Sequence, residues 1–146
     1  MSKYIFSLLL ITSGFFAQAC SPQPRPIVFG KDACSHCRMI ISDPKFGYEL
    51  VTTKGKVYVF DDLNCYWNFR HEQKMSEKQI AHSVVYLYDQ SQKFVAVTEA
   101  HFVKANAVRS PMGSGFAAFS SAAAADGLQG QAQHFSWLQI AEQFKP

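Results

Sequence analysis

The chain has 146 residues and a net charge of +3, with 14 Lys and Arg against 11 Asp and Glu spread along it. That balance excludes a basic nucleic-acid arm and an acidic tail, so no nucleic-acid partner is expected. The 48% apolar content, with 13 Phe, is enough to build the core of one globular domain.

Residues 1–19 read as an export signal. Lys3 gives a positive start, "YIFSLLLITSGFF" is an apolar run too short for a comfortable span, and "AQAC" supplies small residues at a cut site. Ala17 and Ala19 satisfy an ordinary A-x-A cut. Cys20 directly after it suggests a lipoprotein signal, although Ala17 and Gln18 match the usual lipobox only in part. Both readings cut the same bond and export the protein. The expectation is a lipidated Cys20 that anchors the chain in membrane lipid. "SPQPRP" follows, and its three prolines favour an extended, stiff tether over residues 20–31. Residues 32–146 are then one domain.

"DACSHCRMIISDP", residues 32–44, places Cys34, His36, Cys37 and Met39 within six positions. With Cys20 set aside, Cys34, Cys37 and Cys65 remain. An odd count in an exported protein is no complete disulfide framework. At least one thiol stays free or a metal uses it.

Further along, "YELVTT" and "KVYVF" predict a hairpin over 48–53 and 56–60, turning at "KG". Asp61 or Asp62 is a good N-cap, and Phe60, Leu63, Trp67 and Arg70 fall at helical spacing, which predicts a helix to about residue 73. "HSVVYLYD" is a third strand. The order then recurs, with one or two strands over 94–104, a loop at "SPMGSG", a short strand at "FAAFSS", a helical turn at "SAAAADG", and a short strand and last helix in "QAQHFSWLQIAEQF". The expected class is α+β, with small antiparallel sheets covered by helices.

Four readings compete for the cysteine pair. A thiol–disulfide oxidoreductase acting through Cys34 and Cys37 wants a long helix after Cys37, but Pro44 intervenes and only a tether precedes. A structural zinc site wants four ligands, but there is no second C-x-x-C, and His71, His82, His101 and His134 are isolated. A plain disulfide staple needs nothing more. A soft site selects Cu(I) through thiolate and thioether. Met39, two residues past Cys37, shares its face if the segment is extended. Met112 sits in "SPMGSG", where Pro and Gly leave little helix or strand to pack it. Cys34, Cys37, Met39 and Met112 are therefore candidate Cu(I) ligands, with His36 a further candidate inside the cluster. Cys65 reads chiefly as a small core residue, Met75 as grazing the surface, and His101 and His134 as ordinary histidines without a local partner.

The pieces "AQAC", "CSHCRMIISDP", "VYVFDD" and "AHFVKANAVRSPMGSGFAAFSSAAAADG" resemble the NosL family, the lipoproteins encoded with nitrous oxide reductase, over about residues 32–140. Many members read Cys-x-Met-Cys-x-Met, and His36 stands here in place of the first methionine. The resemblance implies a non-enzymatic chaperone that binds one Cu(I) outside the cytoplasm. It passes the metal to a membrane-associated maturation complex and on to the copper enzyme nitrous oxide reductase. It also implies two ββαβ-like units, similar to part of an organomercurial lyase, and a lipid-anchored location on a bacterial membrane, facing the periplasm.

Overall fold

A computed structural model describes residues 21–128 and 132–145. The expected signal segment and Cys20 lie outside the described residues. The elements run β1 (Tyr48–Thr52), β2 (Val57–Phe60), α1 (Leu63–Glu72), β3 (Ile80–Tyr86), β4 (Phe94–Ala96), β5 (His101–Lys104), β6 (Phe116–Phe119), α2 (Ala122–Ala125), β7 (Gln133–Phe135) and α3 (Trp137–Gln143). Two antiparallel sheets form, one ordered β2-β1-β3-β4 and the other β6-β5-β7. The α+β class and the recurrence are both present. β1-β2-α1-β3 and β5-β6-α2-β7 are each ββαβ, and each places its first strand between the next two. The stretch 94–104 is two strands, because a turn over residues 97–99 sends β4 to the first sheet and β5 to the second.

The hairpin turns where expected. Gly55 takes a left-handed φ of 81° and its N–H bonds the Thr52 carbonyl. β1 is the centre of the first sheet and both its faces are covered. Tyr48, Phe60 and Val85 share one face by register, and α1 lays Tyr66 across it. Glu49, Val84 and Tyr86 share the other, and the N-terminal segment covers it. There Arg25 N–H donates to Glu49 Oε1 at 2.9 Å, Ile27 N–H donates to the Tyr86 hydroxyl at 2.7 Å, and Ile27 is buried. A Cβ on Gly47 would come within 2.9 Å of both Ile27 and Tyr86, so that close approach needs glycine. The segment expected as a free tether is thus docked on the domain from Arg25 onward.

α1 starts at Asp62, whose Oδ1 accepts from Asn64 N–H at 2.8 Å, the preferred N-cap arrangement. Its Leu63, Cys65, Tyr66, Trp67, Phe69 and Arg70 are buried, because α1 is clasped between the sheet and α3. Trp67 stacks on Trp137 and Phe144, which locks the C-terminal helix onto the first unit. Met75 is partly buried against the same core rather than grazing the surface.

Candidate metal centre

The Cys34–Cys37 segment is a closed turn. Cys34 N–H bonds the Met39 carbonyl at 2.8 Å, Arg38 N–H bonds the Cys34 carbonyl at 3.1 Å, and Ala33 and Ile40 bridge. Arg38 has a left-handed φ of 69°. That reversal removes the extended geometry on which the shared face of Cys37 and Met39 was expected to rest. β2 is an edge strand, so its outward polar groups need partners. Ser35 provides them, its N–H donating to the Val59 carbonyl at 2.7 Å and its hydroxyl accepting from Val59 N–H at 3.1 Å. The turn is therefore clamped one residue before Phe60, where the chain leaves β2 for Asp61 and enters α1.

That clamp brings together four side chains. The ligand atoms of Cys34, Cys37, Asp61 and Cys65 all lie within 4.8 Å of one another. Cys34 and Cys65 are 0% and 1% exposed, and Cys37 is half-buried, so the group opens to solvent on the Cys37 side. The three cysteines are free thiols. Cys37 donates to Asp61 Oδ2 at 3.3 Å, while Asp61 Oδ1 is buried without a partner. A buried acceptor left unpaired costs free energy, and an ion held by the thiols gives it one.

The thiols differ in how readily they ionise. Cys65 donates its S–H to Cys34, the backbone N–H groups of Asp61, Cys37 and His36 point at the same sulfur, and together they outweigh burial to hold Cys34 down at about 6. Burial first, then hydrogen bonds to Cys34 and Asp61 that favour the thiol, push Cys37 up to about 11, against a donation from Met39 N–H. Cys65 is held protonated chiefly by its bond to Cys34. At neutral pH the cage thus carries one thiolate, wrapped in donors, with two thiols beside it.

The sequence candidates fall into two sets. Cys34 and Cys37 lie in the group of four. Met39 and Met112 are surface residues, 48% and 38% exposed. The Met112 loop is nonetheless tied to the start of α1. Asp62 Oδ2 accepts from Met112 N–H at 2.9 Å, and the Asn64 side chain donates to the Met112 carbonyl at 3.0 Å. Gly113 and Gly115, with φ of 72° and 70°, make the turn that allows this. His36 lies outside the group of four, its Nδ1 3.3 Å from Glu72 Oε2. Asp61 and Cys65 were missed as site residues. Asp61 precedes the N-cap Asp62, whose backbone is extended, so helical spacing does not pair it with Cys65 and only the folded junction brings the two together.

The fold and this group define a small α+β domain with a thiol-lined candidate metal cage. The family model described as NosL matches residues 27–137, and the chain belongs to the NosL family. No curated protein matches the sequence. Among solved structures, the crystal structure of the copper chaperone NosL from Shewanella denitrificans is similar, with a TM-score of 0.67 at 20% identity, covering 82% of this chain and 96% of that one. At that identity the likeness speaks to the fold.

Proposed function

We propose that the protein is an extracytoplasmic Cu(I) chaperone that carries one ion in the Cys34–Cys37–Cys65–Asp61 cage and is not an enzyme. The observation that carries this reading is the convergence of three free thiols in one cluster with Asp61, with Cys37 half-buried at its edge. Thiolates select Cu(I) among biological metals, and the solved relative named above is titled a copper chaperone. Cys34 and Cys37 are the thiolate ligands. Cys65 completes the soft wall as a hydrogen-bond donor to Cys34. The exposed side, with Cys37, is where an acceptor's sulfur joins the ion before an old ligand leaves. Met39 and the pinned Met112 loop offer thioethers to the ion in transit. The recipient is the maturation machinery of nitrous oxide reductase, and Cys20 holds the carrier at a bacterial membrane, facing the periplasm.

The rival reading, a thiol–disulfide oxidoreductase, loses support on two counts. No helix begins at Cys37, since the segment continues as a bridge and the next helix starts only at Leu63, and the most acidic thiol, Cys34, is fully buried, whereas an exchanging cysteine must be reachable. Anaerobic titration with a competing chelator tests the proposal. Reduced protein is expected to bind one equivalent of Cu(I), and protein with Cys34 and Cys37 oxidised to a disulfide to bind little. Equal binding in both states refutes it.

The thiol acidities fix a pH dependence. Between pH 7 and 9 Cys34 is already ionised and Cys37 is not, so binding through both releases one proton. Affinity then rises with pH, by about tenfold per unit, equivalent to about 1.4 kcal/mol. Below about 6 Cys34 is protonated too, and the slope steepens to two protons. Competition titrations at pH 7, 8 and 9 check this, and a slope of zero or two over that range contradicts the ligand pair.

Met112→Leu is expected to keep the fold, since the side chain is exposed and the loop is tied by backbone groups. Cu(I) affinity should fall by about tenfold, roughly 1.4 kcal/mol. Met75→Leu, side by side, should match the parent, and identical titrations for the two variants would make Met112 a bystander.

Cys20→Ser should release the protein from the membrane fraction, because acyl chains supply the anchoring free energy. Mass spectrometry of the parent should find an acylated Cys20 at the N-terminus, and an unmodified one would rule the anchor out.

A further inference from the structure

β5 and β7 pair with Val103 opposite His134. His101, two residues before Val103, is therefore on the same face as His134, one step along the diagonal. Their rings meet, with His101 Nε2 2.7 Å from His134 Nδ1, centroids 5.0 Å apart and planes 50° apart. The sequence shows no partner for either histidine because the contact spans 33 residues. His134 is exposed and His101 half-buried, so solvent reaches the pair. Neither belongs to the thiol group.

We propose that His101 and His134 form a second metal site, a surface chelate for a borderline divalent ion, Cu(II) foremost. Two metal–nitrogen bonds of about 2.0–2.1 Å meeting at a right angle place the nitrogens about 2.8–3.0 Å apart, whereas a tetrahedral angle needs about 3.3 Å. The 2.7 Å contact with centroids 5.0 Å apart aims the two nitrogens at each other, as a hydrogen bond does, so each ring turns by roughly 45° to point its lone pair at an ion at the right angle of tetragonal Cu(II), an ion that imidazole donors suit. The ion replaces the proton that now bridges the rings. The ring carrying that proton moves it to its outer nitrogen through solvent, so two neutral imidazoles bind without net proton release. Both strands are then clamped by one ion, and the short edge strand β7 gains a second attachment to β5.

The test uses full-length protein holding one equivalent of Ag(I), a soft ion that occupies the thiols so that they neither bind nor reduce the probe. Cu(II) alone is then titrated and followed by electron paramagnetic resonance. The parent is expected to give a tetragonal Cu(II) spectrum with coupling to two imidazole nitrogens. His101→Asn and His134→Asn should each bind Cu(II) at least about tenfold more weakly, since each removes half of a chelate whose second contact is intramolecular. His71→Asn and His82→Asn should match the parent. Circular dichroism checks that the variants are folded, and His134→Gln repeats the test at the exposed position. A parent spectrum with fewer than two coupled imidazoles, or a spectrum that survives both His101→Asn and His134→Asn, overturns the proposal. Failure of Ag(I) to fill the thiols speaks against the Cu(I) cage instead, and is seen first, by thiol counting before Cu(II) is added.

Discussion

Cys34→Ser is expected to lower Cu(I) affinity by at least about 1,000-fold, roughly 4 kcal/mol. Cys34 is the thiol that ionises first, held near 6 by the Cys65 S–H and three backbone N–H groups. A serine hydroxyl fits the same place and accepts the same N–H bonds, so the turn and its clamp to β2 should survive. It offers Cu(I) a hard neutral oxygen in place of a thiolate. Cys37→Ser should follow closely, and Cys65→Ser should lose less, because a hydroxyl still donates to Cys34. Competition titrations of the three variants supply the ranking, with circular dichroism showing that each remains folded. If Cys34→Ser binds as the parent does, the cage is not where the copper sits.

Asp62→Ala should cost about 2–4 kcal/mol of stability. About 1 kcal/mol is the lost N-cap of α1, and about 1–3 kcal/mol is the Met112 N–H left without its carboxylate acceptor. Asp62 is fully buried, with Oδ1 on Asn64 N–H and Oδ2 on Met112 N–H. Asp62→Asn separates the two roles. The amide oxygen still caps the helix, while the amide N–H₂ faces another donor and unties the loop. Asp62→Asn should therefore keep most of the stability in a denaturant melt yet weaken Cu(I) binding as Met112→Leu does. An Asp62→Asn variant with parental copper affinity would show that the position of the Met112 loop does not matter to the site.

The two predictions meet at one junction, where β2 ends and α1 begins. Asp61 supplies a cage oxygen, Asp62 caps the helix and holds the Met112 loop, and Cys65 sits one turn in. Stability and the proposed copper binding are therefore expected to be coupled there, so both are measured on each junction variant.

The sequence by itself determined the strand and helix order, because period-two and helical patterns, the N-cap at Asp61–Asp62 and the glycine turn at Gly55 are local signals. It also singled out Cys34 and Cys37 as candidate ligands, since spacing is a property of the chain. It did not decide the shape of the Cys34–Met39 turn. A left-handed arginine at position 38 is sterically disfavoured and is held by its N–H bond to the Cys34 carbonyl, the bridge between Ala33 and Ile40 and the clamp on Val59. Nor could it decide the fate of residues 25–31, because proline-rich composition favours extension whether or not an uncovered sheet face is waiting. Cys65 carried the same ambiguity, since a buried thiol in an apolar helix is a core residue until a second thiol is packed against it. The meeting of Cys34 with Cys65, of the Met112 loop with Asp62 and of His101 with His134 belongs to tertiary structure alone. Each joins residues more than thirty positions apart, and only sheet register and helix docking bring such residues to one place.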